Sequence, residues 1–337
     1  MVVIFSAWLY TARMMVTAQQ PLKVIVSLDV EEEGLFSGRY ASSGCTVRNV
    51  QLLPRLAPLT QELGFPLTLF CTHTVFADPN ARSVLTFMRE RCNAEIGAHL
   101  HHWSTPPPHE SDKITAPTRT DQMPRDLLQR RLEALLHAGQ NFLGSPVTSF
   151  RMGRWDLKSV IRPLLTEHGI KLDSSVCPLR AFTNGPDHFL APADPYWVDG
   201  LLEAPITQVA ICPPLARLWH KIAPQQILDS FCYWGVASAN PLWHYSGVMR
   251  LAARLHVRRG GKVLSLFWHS SEMMPGASPH IKDEDGADRL FKKIYNYLIW
   301  LKETFPVQGV TATRLYNDAP ALQFAQCPPQ DERQGDW

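Results

Sequence analysis

Most of the patterns that reveal a function on their own are missing from this chain of 337 residues. Its seven cysteines (Cys45, Cys71, Cys92, Cys177, Cys212, Cys232 and Cys327) are odd in number and contain no Cys-x-x-Cys pair. That excludes a disulfide framework and a thiolate zinc site, and leaves reduced thiols in a cytoplasmic protein as the expectation. Charge of one sign is also lacking: 33 Lys and Arg stand against 31 Asp and Glu, with no basic block, so no nucleic-acid partner is expected. No Gly-x-Ser-x-Gly elbow accompanies Ser270 and Ser271, which sets a serine nucleophile aside. Long hydrophobic runs are absent too. Met1 to Leu9 is apolar but has no charged lead-in, is interrupted by Arg13, and falls far short of the ~20 residues of a membrane span. Residues 1–20 therefore read as a tail, with no stable membrane insertion.

What is present is the composition of a protein with a large core, 45% hydrophobic and 19% charged. The 10 Trp and 27 Pro cluster partly around polar residues, an association that suits sugar stacking and an ordinary core equally. Strand-like and helix-like segments alternate. Lys23–Leu28, Pro66–Cys71, Ala94–Ala98, Val147–Phe150, Ile170–Leu172, Leu201–Ala204, Lys262–Trp268 and Gly309–Thr313 read as strands. Segments 52–63, 83–92, 124–143, 157–168 and 287–304 read as helices, with one or two more in 224–259, while 104–121 and 177–200 read as irregular. Repeated strand–helix–strand order implies parallel pairing with right-handed crossovers, and so an irregular (β/α) barrel of about seven strands. Residues 21–326 form one expected catalytic domain, followed by a tail over 327–337.

Polar residues fall where such barrels place their chemistry. Asp29, His99, Arg151, Asp173 and His269 each end a strand, and parallel strand ends share one face. Within Asp29-Val30-Glu31-Glu32-Glu33, alternation brings Asp29 and Glu31 to one side, while Glu32 and Glu33 read as a solvated loop. Two convergent carboxylates call for a cation between them or a proton on one. Three imidazoles in His99-Leu100-His101-His102 point to a metal site. An extended backbone pairs His99 with His101 and a helical one pairs it with His102; alternation favours His101. Arg151 and Arg154 flank Gly153, where a guanidinium could hold a carboxylate bidentately. His269 leaves an apolar strand for a polar loop, as a general acid would.

These residues resemble the polysaccharide deacetylases of the NodB-homology type (carbohydrate esterase family 4). The resemblance rests on five ordered segments between residues 24 and 270: Ser27-Leu28-Asp29-Val30-Glu31, Glu95-Ile96-Gly97-Ala98-His99, Phe150-Arg151, Asp173-Ser174-Ser175 and Trp268-His269-Ser270. It implies a zinc-type hydrolase that removes N-acetyl groups from a carbohydrate. Asp29 would be the general base, Glu31, His99 and a second His the metal ligands, and His269 the acid for the leaving amine. Arg151 would hold Asp29, and Trp103, Arg154, Trp155 and Asp173 would meet the substrate. The chain departs from the family in three places: Asp-Val-Glu replaces an adjacent acidic pair, Trp103 stands where the second His is usual, and no Pro follows Arg151. This places it in a divergent branch in which Asp29 and Glu31 could exchange roles. A homo-oligomer is compatible with the sequence. Hydrolysis of another C–N bond, in a ureide or cyclic amide, and a catalytically inactive glycan binder are the competing readings.

Overall fold

The computed structural model describes residues 20–38, 40–113, 118–182 and 185–327; apart from Gln20 and Cys327, the two expected tails lie outside them. The first strand, β1 (Leu22–Val30), is buried along its whole length, as a strand covered on both faces must be. It pairs in parallel with β2 (Leu67–Cys71), and the sheet continues through β3 (Glu95–Leu100), β4 (Ser149–Met152) and β5 (Leu172–Asp173). Next come the antiparallel hairpin β6 (Tyr196–Val198) and β7 (Leu201–Glu203), and a separate antiparallel pair, β8 (Gln208–Ala210) and β9 (Val236–Ser238). On the other side of β1 lies β10 (Val263–His269), while β11 (Val307–Gly309) and β12 (Ala325–Gln326) add short ends to β1 and β6.

The wall runs β10-β1-β2-β3-β4-β5-β7, the seven strands expected, and β6, β11 and β12 extend the sheet to ten. The edges meet through the residues after β7. Ile206 donates its N–H to Val176 O at 3.2 Å, and Thr207 donates to Ser265 O at 3.0 Å. The Thr207 hydroxyl accepts from Ser265 N at 2.8 Å, so a single residue joins β7's continuation to β10 and closes an irregular barrel. Helices pack outside it. Pro79–Cys92 starts with Asp78, whose side chain accepts from Ala81 N, and Arg125–Leu143 stops at Gly144 in the left-handed conformation.

The sequence reading needs correction in three segments. The stretch 177–200 is not wholly irregular, because β6 lies inside it. The stretch 224–259 holds strand β9 as well as the helix Ser246–Arg258, and a further helix, Pro213–Ile222, begins at a Pro-Pro pair suited to a first turn. The strand expected at Gly309–Thr313 is instead Val307–Gly309, because Thr311 caps a helix, Ala312–Leu322, by accepting from Arg314 N. Among the described residues no helix is long and apolar enough to cross a membrane. All seven cysteines are unpaired thiols.

Candidate active site

Strand register assembles the site. Asp29 on β1 lies opposite His269 on β10, and His99 on β3 opposite Arg151 on β4, all at carboxyl ends of parallel strands. The Asp29, His99 and His269 side chains line one pocket of about 140 Å3, together with Glu31, His101, Trp103, Met152, Arg154, Trp155, Leu35, Phe36 and Tyr40.

Arg151, fully buried, fixes Asp29. It donates to Asp29 Oδ1 at 2.5 Å, to the Ser27 and Ser174 hydroxyls at 2.9 and 3.0 Å, and to Ser174 O at 3.0 Å. The other Asp29 oxygen, Oδ2, lies 3.8 Å from both His99 Nε2 and His269 Nε2. Burial alone would raise the Asp29 pKa, but the Arg151 guanidinium, helped by His99 and His269, holds it below the ordinary carboxylate range. Asp29 therefore stays ionised although it is buried.

Glu31, His99 and His101 converge, with one donor atom from each lying within 4.8 Å of the others. Glu31 Oε2 is 3.6 Å from His99 Nε2 and 3.3 Å from His101 Nε2. The outer nitrogens are anchored. His99 Nδ1 meets the Arg151 carbonyl at 2.9 Å; a carbonyl can only accept, so this nitrogen donates and Nε2 is the one that faces the pocket. His101 Nδ1 meets Glu32 Oε2 at 2.8 Å, and the Ser104 hydroxyl donates to the same carboxylate at 3.1 Å. Anchoring of this kind sets tautomer and ring orientation in metal-binding imidazoles. Burial would raise the Glu31 pKa, yet His269, His101 and His99 together push it well below the carboxylate range. Burial would lower His101, but Glu32 and Glu31 push it up to about 9.

His269 is held the same way. Glu272 Oε2 accepts from His269 N and faces His269 Nδ1, both at 2.9 Å. Burial opposes the charged ring, but the Glu31, Glu272 and Asp29 carboxylates push His269 up to about 10. This imidazole holds a proton at neutral pH and aims Nε2 at the pocket.

The walls are aromatic. Trp103 stacks on His101 with centroids 4.4 Å apart, Tyr40 meets Trp103 edge-on at 5.1 Å, and Arg154 lies 5.2 Å over Tyr40. Phe36 meets His269 edge-on at 5.1 Å. Arg154 and Trp155 both adopt left-handed backbone, φ 59° and 56°. Two consecutive non-glycine residues there cost about 1–3 kcal/mol each, strain of the kind that gathers at functional sites. Gly153, just before them, is required by contact: a Cβ would sit 2.6 Å from the His101 ring and 2.7 Å from Leu100 O.

Of the residues singled out from sequence, Asp29, Glu31, His99, His101, Trp103, Arg154, Trp155 and His269 line the pocket, and Arg151 supports it from behind. Asp173 does not reach it. It is sealed beneath, bonded by the Ser175 hydroxyl and paired in register with Glu203, because its side chain leaves β5 toward the interior. His102 is buried away from the lining, and burial with nearby Arg131, His101 and Arg154 pushes it down to about 3. Glu32 is not a solvated loop residue; it is 1% exposed and orients His101, while Glu33 accepts from Asn49 N at 2.7 Å. Glu272, Phe36 and Tyr40 were not anticipated. Only Glu272 left a signal, its spacing three residues after His269 on the same chain.

No protein-family model matches the sequence, and no curated protein does. Solved structures match over most of the chain. A polysaccharide deacetylase from Mycobacterium smegmatis aligns over 93% of this chain and 94% of its own at 16% identity, TM-score 0.56. One from Pseudomonas aeruginosa aligns over 89% and 91% at 14% identity, TM-score 0.56. An allantoinase aligns over 89% and 91% at 12% identity, TM-score 0.53. Over most of its length this chain has the irregular (β/α)-barrel fold of the NodB-type polysaccharide deacetylases.

Proposed function

We propose that the protein is a metal-dependent hydrolase that removes N-acetyl groups from a carbohydrate. One observation carries the reading: an ionised Asp29, a protonated His269 and the Glu31, His99, His101 donor set open onto a single pocket. Two inward imidazole nitrogens and a carboxylate, each anchored from behind, suit a divalent cation such as Zn2+ with positions left for water and substrate. A cation held there would lower the pKa of its water and polarise an acyl carbonyl.

The residues of the chain supply the rest. Asp29, locked through Oδ1 by Arg151, keeps Oδ2 free to take a proton from the attacking water. His269, charged by its carboxylate neighbours, gives its Nε2 proton to the departing amine. Trp103, Tyr40, Trp155 and Phe36 offer ring faces and edges to a sugar, and Arg154 adds a cation at the rim. The small pocket volume suits an acetyl group and its immediate attachment, with further sugars held outside.

A second reading has an observation of its own. The likeness to an allantoinase, TM-score 0.53, nearly equals that to the deacetylases, so hydrolysis of a ureide on the same donor set is the alternative. A glycan binder without catalysis would need neither the ionised base nor the charged acid.

The test is metal analysis of the wild type and of His99→Ala, His101→Ala and His102→Ala, with acetate release from N-acetylglucosamine oligomers. Bound divalent metal, lost in the first two variants and kept in the third, with acetate released, is expected. Full occupancy in all three variants would overturn the site, and metal with ureide hydrolysis but no acetate would select the second reading.

A further inference from the structure

The apolar surface of this molecule is concentrated in one place. Among the described residues, every exposed large hydrophobic side chain except Phe87 falls between residues 211 and 251. The helix Pro213–Ile222 is the centre of it. Ala216 and His220 face inward, while Leu215, Leu218 and Ile222 recur at helical spacing on the outer side, 41%, 51% and 62% exposed. A surface helix ordinarily turns its apolar stripe toward the core. Here the stripe faces solvent, with exposed Arg217 and Lys221 along one edge of it.

The patch is continuous. Trp219 meets Trp234 edge-on at 5.3 Å, Ile211 donates its N–H to Gly235 O at 2.9 Å, and Arg259 donates to Ala210 O at 2.7 Å. Its charge is one-sided. The helix carries exposed Arg217 and Lys221 and no acid, and the whole stretch between Glu203 and Glu272 holds a single acid, Asp229. That acid is already engaged by Arg180, which donates to both its oxygens at 2.7 and 2.9 Å.

We propose that this face docks the protein onto an anionic lipid bilayer, with Pro213–Ile222 lying in the headgroup plane. Leu215, Leu218 and Ile222 enter the acyl boundary, Arg217 and Lys221 meet lipid phosphates, and Trp234 sits at the interface where indole rings favour headgroup depth. A two-fold pairing of copies through this helix would bring two sets of Arg217 and Lys221 to one interface with no acid on the helix to meet them, whereas an anionic surface answers both. The docking is independent of the reaction proposed above.

The test is co-sedimentation of the full chain with vesicles of equimolar phosphatidylcholine and phosphatidylglycerol, and with pure phosphatidylcholine. Binding to the anionic vesicles that weakens in high salt, with much weaker binding to neutral ones, is expected. Leu218→Ser with Ile222→Ser should lower partitioning about tenfold for each residue, and Arg217→Gln with Lys221→Gln about fivefold for each. All four positions are exposed, and an unchanged melting temperature verifies that each variant folds. No pelleting with anionic vesicles, or equal pelleting with neutral ones, overturns the proposal. So does a dimer in lipid-free sedimentation velocity that Leu218→Ser with Ile222→Ser dissolves, since the occupant is then a second copy.

Discussion

The barrel contains two pairs of buried carboxyl groups, and their pKa values are pushed in opposite directions. Asp29 and Glu31 are each 3% exposed, and Asp173 and Glu203 are wholly buried. Burial penalises the charge in all four. In the first pair Arg151, His99, His101 and His269 outweigh it, and both groups stay ionised. In the second, burial prevails: Asp173 is raised despite its Ser175 bond, and Glu203 is pushed well above the carboxylate range by burial and by Asp173, with Arg162 only partly opposing. Depth does not decide the charge of a carboxyl group here. The number of cations that reach it does, and in this chain those cations gather where a pocket opens.

The comparison breaks most sharply at Asp29. Asp29→Asn keeps the shape and removes the base, so kcat should fall about a thousandfold with metal content unchanged; a loss under tenfold would remove Asp29 from its role. Arg151→Met takes away the counter-charge and should move Asp29 toward the behaviour of Asp173. Unfolding by urea should show a loss of about 3–5 kcal/mol, as for one partner removed from a buried pair. The acid limb of the pH–rate profile should also shift to higher pH, because the Asp29 pKa rises without its guanidinium. Glu272→Gln removes one carboxylate that raises His269, so the alkaline limb should move to lower pH, with kcat down about tenfold. An unmoved limb would show that Glu272 does not govern that proton.

The smallest effect belongs to Asp173 and Glu203. A group whose folded pKa is raised contributes stability that is fully present below its unfolded pKa and is lost as pH rises through the folded value. Glu203 should therefore make the protein less stable as pH climbs from the ordinary carboxylate range. Glu203→Gln should remove that slope, leaving the variant more stable at neutral pH by on the order of 1 kcal/mol. Melting temperatures measured across pH for both proteins check this, and parallel curves would refute it.

Much of this site can be read in the sequence because strand ends announce themselves. Asp29, His99 and His269 each close an apolar run, and a parallel barrel gathers such ends on one face. Period-two alternation selected His101 over His102, since the backbone stays extended through Leu100. The same rule failed at Glu32, because β1 ends at Val30 and the chain turns, bringing Glu32 to His101. At Asp173 the strand end was read correctly, but its two-residue strand gives too little register to tell pocket from interior. The Arg151–Asp29 contact spans 122 residues, and no local pattern encodes it; there the family resemblance did what periodicity could not.

Thr207 has a consequence for how the molecule yields. Asp29 and His269 are register partners on adjacent strands, so the ladder between β1 and β10 fixes their spacing. The seam that closes the barrel lies elsewhere on β10: Thr207 is bonded to Ser265, four positions back from His269, and the Asn240 side chain donates to Phe267 O at 3.1 Å. Were that seam to part, β10, β1, β2, β3 and β4 would stay joined through their own ladders and through the Arg151–Asp29 bond, and with them Asp29, His99, Arg151 and His269. The pocket and the closure of the barrel thus hang on different hydrogen bonds, so the one can loosen without undoing the other.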